Sequence, residues 1–125
     1  MIKSAFLFLW SLSMVAQGPY RIGEGVSAPV PIFKVEAAYT KEAKDARIEG
    51  IIVLAIVVTA EGKPSEIRVT KARLVQRDSG KDAPSDMGLQ EQAIKALMGW
   101  KFKPGMKDGK PVAVAADVEL NFRLE

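Results

Sequence analysis

The sequence predicts an α+β domain, a three-stranded antiparallel sheet with two helices on one face in the order helix-strand-strand-helix-strand. Three observations predict it. Residues 51–59 are apolar and β-branched at nearly every position, residues 112–124 alternate between apolar and polar side chains, and residues 88–98 carry apolar side chains at helical spacing. Because the apolar face of a sheet has to be buried, we expect both helices to pack on it.

The strands follow from local signals. Residues 51–59 are apolar almost throughout, which favours a central strand covered on both faces. Residues 60–63 form the turn, in which Gly62 supplies the positive φ of a tight hairpin, and residues 66–75 return antiparallel. The regular alternation of residues 112–124 predicts the last strand.

The helices have recognisable ends. A short helix covers residues 40–47, and the Thr40 hydroxyl can cap its start by accepting a backbone N–H. The second helix covers residues 88–98, and we expect Gly99 to end it in a left-handed conformation.

One apolar surface has no cover in this arrangement. With both helices on one face, the other face of the central strand presents Ile51, Val53, Ala55 and Val57. An arm over residues 19–36 could cover it, and we favour that arrangement because intramolecular cover requires no association entropy. A second copy of the chain is the alternative.

The first residues predict export. Lys3 is followed by a short apolar run over residues 5–12 and by small residues up to Gly18, the pattern of a secretory signal peptide over residues 1–18. The run is too short to span a bilayer, which requires ~20 apolar residues, although retention as a short N-terminal anchor is the alternative. We therefore predict a periplasmic protein with an extended, proline-containing arm over residues 19–36 and a folded domain over residues 37–125.

The composition argues against catalysis. The chain has no histidine and no cysteine, so the commonest general base, the thiol nucleophile and the commonest metal ligands are missing. Asp117 and Glu119 share a strand face ~7 Å apart, but such a pair is more often a solvated face than an acid–base pair. A net charge of +3 is too balanced for a nucleic-acid binder. We predict a non-enzymatic protein with no cofactor, metal site, nucleic acid or small-molecule substrate.

Several short elements in sequence order resemble one known family. They are Arg47-Ile48-Glu49-Gly50, Glu61-Gly62, Trp100-Lys101-Phe102-Lys103-Pro104-Gly105, Asp108-Gly109-Lys110-Pro111-Val112 and Asn121-Phe122-Arg123-Leu124. Their order is similar to the C-terminal domain of TonB, the energy transducer of Gram-negative envelopes. The resemblance covers about residues 33–124 and implies the helix-strand-strand-helix-strand order predicted above.

The resemblance also implies a function. It implies a periplasmic domain linked to TonB-dependent transmembrane transport, which grips an extended segment of an outer-membrane transporter, or another envelope protein, by strand addition. The last strand is the edge used in the family, which implies the site residues Ala113, Ala115, Asp117, Val118, Glu119, Asn121 and Arg123. The resemblance further implies a partner contact before the first helix, at Glu36, Ala37 and Tyr39. The alternative function is a self-associating structural or accessory protein of the envelope, such as a homodimer.

Overall fold

We analysed a computed structural model of the chain, in which residues 18–125 are described. The predicted signal peptide lies outside this range except for Gly18. The helices are α1 (Lys41–Asp45) and α2 (Leu89–Met98). The strands are β1 (Tyr20–Arg21), β2 (Val30–Phe33), β3 (Ile48–Val58), β4 (Pro64–Gln76), β5 (Lys101–Lys103), β6 (Gly105–Lys107), β7 (Lys110–Val112) and β8 (Val114–Phe122).

The main sheet contains the three predicted strands and one more. Its strand order is β1-β8-β3-β4, with β3 antiparallel to both β4 and β8. The additional strand is β1, which lies parallel to the start of β8, where the Tyr20 N–H donates to the Ala113 carbonyl at 2.9 Å. Two separate ribbons, β2-β5 and β6-β7, were also not predicted. The class is α+β as predicted, but the three-stranded arrangement is only part of the sheet.

The core lies between β3 and the two helices. Alternate residues of β3 are buried on one face, among them Ile52 and Leu54 with no exposed surface. From α2 the same core receives Leu89, Ala93 and Leu97, and from α1 it receives Ala43. The helical spacing of these apolar side chains explains why both helices bury one stripe against the sheet.

Local chemistry fixes the turns, with one exception. Gly62 has a φ of 86°, as predicted for the β3–β4 turn. Gly99, however, is right-handed with a φ of −91°, so the prediction of a left-handed stop is wrong. A Cβ on Gly99 would lie 2.9 Å from the Val35 side chain, which shows that the position needs a small residue for space.

The last predicted strand is divided at Ala113. Its first part, β7, pairs with β6 across a tight turn in which Asp108 and Gly109 both have positive φ. Only β8 continues in the main sheet. Both Asp108 and Gly109 tolerate that backbone region, which explains why the hairpin closes at this point.

The arm over residues 19–36 runs along edges. Its β2 pairs antiparallel with β5 and its β1 pairs with β8. On the sheet face remote from the helices, the arm reaches only the end near Val57, where Arg21 and Ile22 line a depression. The expectation that the arm covers this face is therefore wrong for most of it. Within residues 18–125, no helix is long and apolar enough to cross a bilayer.

Candidate functional site

The outer edge of β8 is open over most of its length. β1 pairs only with Val114 and Ala115. From Ala116 to Phe122, the structure between residues 18 and 125 pairs β8 with β3 alone. An edge of this kind presents backbone N–H and C=O groups on which another strand can form.

The pairing of β1 shows which backbone groups face outward. The Ala113 carbonyl accepts from Tyr20, so it points away from β3. On the opposite side, the Leu124 N–H donates to the Glu49 side chain at 2.8 Å, so it points toward β3. Because backbone direction alternates along a strand and the β3–β8 register is unbroken, the backbones of Asp117 and Glu119 also point outward. Asn121 follows the same alternation.

A groove of about 330 Å³ runs beside this edge. Glu119, Leu120 and Asn121 form one wall, and residues 34–37, which lead into α1, form the other with Trp100. The indole N–H of Trp100 donates to the Val35 carbonyl at 2.9 Å. The buried indole therefore fixes the segment that forms the far wall.

Charge is distributed unevenly around the groove. Glu119 is exposed on the sheet side and Glu36 on the segment side, whereas the Lys34 ammonium lies 5.3 Å from the centre of the Trp100 ring. Such a cation–π contact holds the lysine over the indole. The groove thus combines open backbone groups, two carboxylates and one anchored cation.

The structure separates the predicted edge residues into groups. Asp117, Glu119 and Asn121 lie on the open part of β8 and are exposed. Ala113 and Ala115 lie where β1 already occupies the edge. Their outer side is therefore covered in this structure.

Two other predicted edge residues are placed differently. The Val118 side chain packs against the core, so only its backbone belongs to the edge strand. Arg123 lies beyond the end of β8 and lines a different depression with Lys44 and Arg47. The open edge is therefore shorter than the predicted set of residues.

The predicted contact before α1 is also divided. Glu36 and Ala37 line the groove opposite β8. Tyr39 instead has an internal role, because its hydroxyl donates to the Ile48 carbonyl and its ring packs edge-on against Phe122 at a centroid distance of 5.7 Å. Partial burial, and secondarily the negative charge of Glu49, raise the pKa of Tyr39 above its ordinary value.

Sequence reasoning missed four groove residues, which are Lys34, Val35, Trp100 and Leu120. Trp100 is buried in the core. A signal for its second role existed, because a buried indole N–H needs an acceptor. No local pattern, however, identifies the distant Val35 carbonyl as that acceptor. Within residues 18–125, no cluster of three or more acidic residues could hold a metal ion.

Comparison with known proteins identifies a matching family and related proteins. Residues 35–124 match the family described as Gram-negative bacterial TonB protein C-terminal. Protein TonB of Vibrio cholerae is 29% identical over 92 residues, which are 74% of this chain and 33% of that protein. Protein tonB2 of Pseudomonas aeruginosa is 34% identical over 76 residues, which are 61% of this chain and 24% of that protein. The matched part thus spans about a third and about a quarter of these relatives.

A solved structure has a similar fold. The solution NMR structure of the Pseudomonas aeruginosa TonB CTD superimposes with a TM-score of 0.57 at 22% identity, covering 87% of this chain and 97% of that one. At this identity the likeness concerns the fold alone.

The family match extends over most of the described structure. Residues 35–124 contain both helices and three of the four strands of the main sheet, and omit only the arm strands β1 and β2. The resemblance found in the sequence is therefore confirmed, and this chain belongs to the family of Gram-negative bacterial TonB protein C-terminal domains.

Proposed function

We propose that this domain binds an extended segment of an outer-membrane transporter, in the periplasm, by strand addition to the open edge of β8. The single observation that carries the proposal is the unpaired edge of Ala116–Phe122 within the described structure. Family membership supports the choice of partner, because the TonB name of the relatives connects this domain with TonB-dependent transport.

The length of the edge suits a short peptide. Seven residues of an extended strand cover roughly 23 Å at the usual rise per residue. β1 limits the site at one end by pairing with Val114 and Ala115. A ligand strand therefore pairs with the second part of β8, beside the groove that residues 34–37 border.

Two kinds of contact contribute to recognition. The outward backbone groups of Asp117, Glu119 and Asn121 supply main-chain hydrogen bonds, each worth about 1 kcal/mol net. Side chains on either side of the added strand contact the groove walls and supply selectivity. We infer that the domain acts by binding and not by catalysis, because the chain has neither histidine nor cysteine.

Proline at Glu119 tests the edge directly. The Glu119 N–H points away from β3, so Glu119→Pro removes a donor to the added strand without removing one from the sheet. We expect binding to weaken tenfold or more, since about 1 kcal/mol is lost with the hydrogen bond and the ring obstructs the neighbouring strand. The measurement is isothermal titration of synthetic peptides taken from the periplasmic N-termini of TonB-dependent transporters.

Glu119→Ala is the matched control, because it removes the carboxylate and keeps the N–H. It should bind within a few-fold of the wild type. Thermal melts of both variants verify that the sheet is intact. Equal affinities for the proline and alanine variants, with both folded, would show that the ligand does not pair with β8.

Self-association, the alternative function, has a different surface. The sheet face remote from the helices still presents half-buried apolar residues of β3, because the arm covers only its end. The side chains of Asp117 and Glu119 border this face, whereas the outward backbone groups of β8 are not part of it.

A further inference from the structure

The sheet face remote from the helices has charges sorted by strand. Along the middle strand β3 run Ile51, Val53 and Ala55, all partly accessible. The β3–β4 register places Lys71 beside Val53 and Arg68 beside Ala55. The face is thus an apolar stripe with cations along one flank.

The other flank is acidic and lies in the same register. The β3–β8 register places Glu119 beside Val53 and Asp117 beside Ala55. The rows of Val53 and Ala55 therefore each carry a cation, an apolar residue and a carboxylate, whereas the neighbouring row of Ile51 carries Arg73 and Asn121. The two rows are Lys71, Val53, Glu119 and Arg68, Ala55, Asp117.

These four charges are exposed, and none of them forms an ion pair within residues 18–125. The reason is geometric. The strand β3 separates the two flanks by two strand spacings, roughly 10 Å, and its apolar side chains stand between them. The four side chains therefore have no ion-pair partner within residues 18–125.

A second copy of the chain can neutralise them. A twofold axis parallel to β3, placed between two stacked sheets, puts β4 of one copy over β8 of the other. Lys71 and Glu119 lie in one row, and Arg68 and Asp117 lie in the next. The rotation therefore places Lys71 opposite Glu119 of the other copy, and Arg68 opposite Asp117. A twofold axis perpendicular to β3 instead places cations over cations.

We propose that two copies of this domain associate through this face, with their sheets stacked about a twofold axis parallel to β3. Stacked sheets lie ~10 Å apart, a gap that lysine and arginine side chains can span to reach carboxylates. The apolar residues of β3 meet at the centre, where burial excludes water. The four intermolecular ion pairs at the flanks select the parallel axis over the perpendicular one.

The size of the face limits the affinity. Three strands over three to four rows give roughly 300 Å² of flat area per copy from the strand spacing and rise. This is well below the ~800 Å² per partner of a standard stable interface. We therefore expect a weak dimer that forms with increasing concentration and dissociates with added salt.

A charge-swap experiment tests the geometry. One variant carries Arg68→Glu and Lys71→Glu, and the other carries Asp117→Lys and Glu119→Lys. Each alone should dimerise at least tenfold more weakly than the wild type, because the four charges of the two rows then have one sign. An equimolar mixture should form a heterodimer, and the variant with all four substitutions should regain the wild-type affinity. Sedimentation equilibrium of the chain as purified from expressing cells measures each case.

The alternatives give different results. Loss of association in each variant without recovery in the mixture contradicts the proposed axis. Dimers unaffected by every swap place the interface elsewhere, and a wild type that stays monomeric at millimolar concentration overturns the proposal. Melting curves confirm that the variants are folded. The result is independent of the transporter proposal, because peptide binding is measured separately at the edge of β8.

Discussion

Gly50 is the residue whose identity the sheet constrains most directly. It lies in β3 opposite Leu74 with a φ of 151°, a backbone region that side chains rarely adopt. A Cβ built on Gly50 would overlap the carbonyl oxygen of Arg73 in β4. The obstacle is backbone and cannot rotate away, so any side chain at Gly50 has to separate the two strands.

We expect Gly50→Ala to lower the free energy of unfolding by about 3 kcal/mol or more, from the combined clash and backbone strain. Gly80→Ala is the matched control, since Gly80 also has a positive φ, 72°, but has nothing within 4 Å of the added Cβ. It should lose only about 1 kcal/mol. Urea denaturation followed by circular dichroism measures both variants, and equal losses would refute the clash.

At the residue scale, the sequence predicts the role of a residue when that role depends on its neighbours in the chain. Thr40 caps α1 as predicted, accepting from the Ala43 N–H at 3.1 Å. Gly62 has the predicted positive φ. The conformation of Gly99 was predicted wrongly, because the requirement for glycine there is not local. The Val35 side chain from the arm fills the space beside Gly99. Nothing near Gly99 in the sequence indicates that contact.

At the scale of elements, Thr40 also connects the two helices. Besides capping α1, its hydroxyl donates to the Met87 carbonyl at 2.8 Å, just before α2 begins. Met87 has a φ of 50°, so the chain enters α2 through a conformation that this hydrogen bond helps to hold. One side chain thus stabilises both helix starts.

Thr40→Ala should therefore lower the free energy of unfolding by about 2 kcal/mol, the sum of a lost cap and a lost hydrogen bond. Thr40→Ser retains the hydroxyl and should lose less than half of that amount. Chemical denaturation of the two variants provides the comparison. If serine is as destabilising as alanine, the methyl group matters and the hydroxyl does not.

Elements with a strong period of their own could be predicted from sequence. β3, β4, α2 and β8 all have burial patterns that repeat along the chain. The short strands β1, β2, β5 and β6 could not be predicted in this way. Each has two to four residues. A distant segment supplies the hydrogen-bond partner of β1, β2 and β5, and β6 pairs with its neighbour β7. Two to four residues are too few for a period to be recognised.

The candidate site was predictable to a similar extent. Alternation identified β8, and the family resemblance identified its edge and the segment containing Glu36. The extent of the open edge could not be predicted, because it depends on where β1 stops. The sorted charges of the remote face also depend on tertiary structure. The register that aligns Lys71 and Glu119 across β3 becomes visible only when the sheet is assembled.

At the scale of the whole molecule, Tyr39 connects stability with pH. Burial raises its pKa, so the folded protein retains the phenolic proton at a pH where the unfolded chain begins to lose it. The stabilisation is complete below the ordinary tyrosine pKa of about 10 and is lost as the pH rises through the folded value.

Tyr39→Phe should cost about 1 kcal/mol at neutral pH through loss of the hydrogen bond to the Ile48 carbonyl. The same variant should lose less stability than the wild type between pH 9 and pH 11, roughly the range that spans tyrosine ionisation. Urea midpoints across that range provide the measurement. Parallel pH profiles for the two proteins would exclude Tyr39 as the group responsible.

The position of β8, after all the other strands in the sequence, has a consequence for folding order. The β3–β4 hairpin closes through a short turn, whereas β8 joins β3 by pairing Gly50 with Phe122 and Val58 with Val114. Contacts between such distant residues form late, because a long loop has to close first. Until β8 is available, one edge of the most apolar strand stays open to other chains. A nascent chain that still lacks β8 therefore needs protection from aggregation, and that need ends when β8 docks.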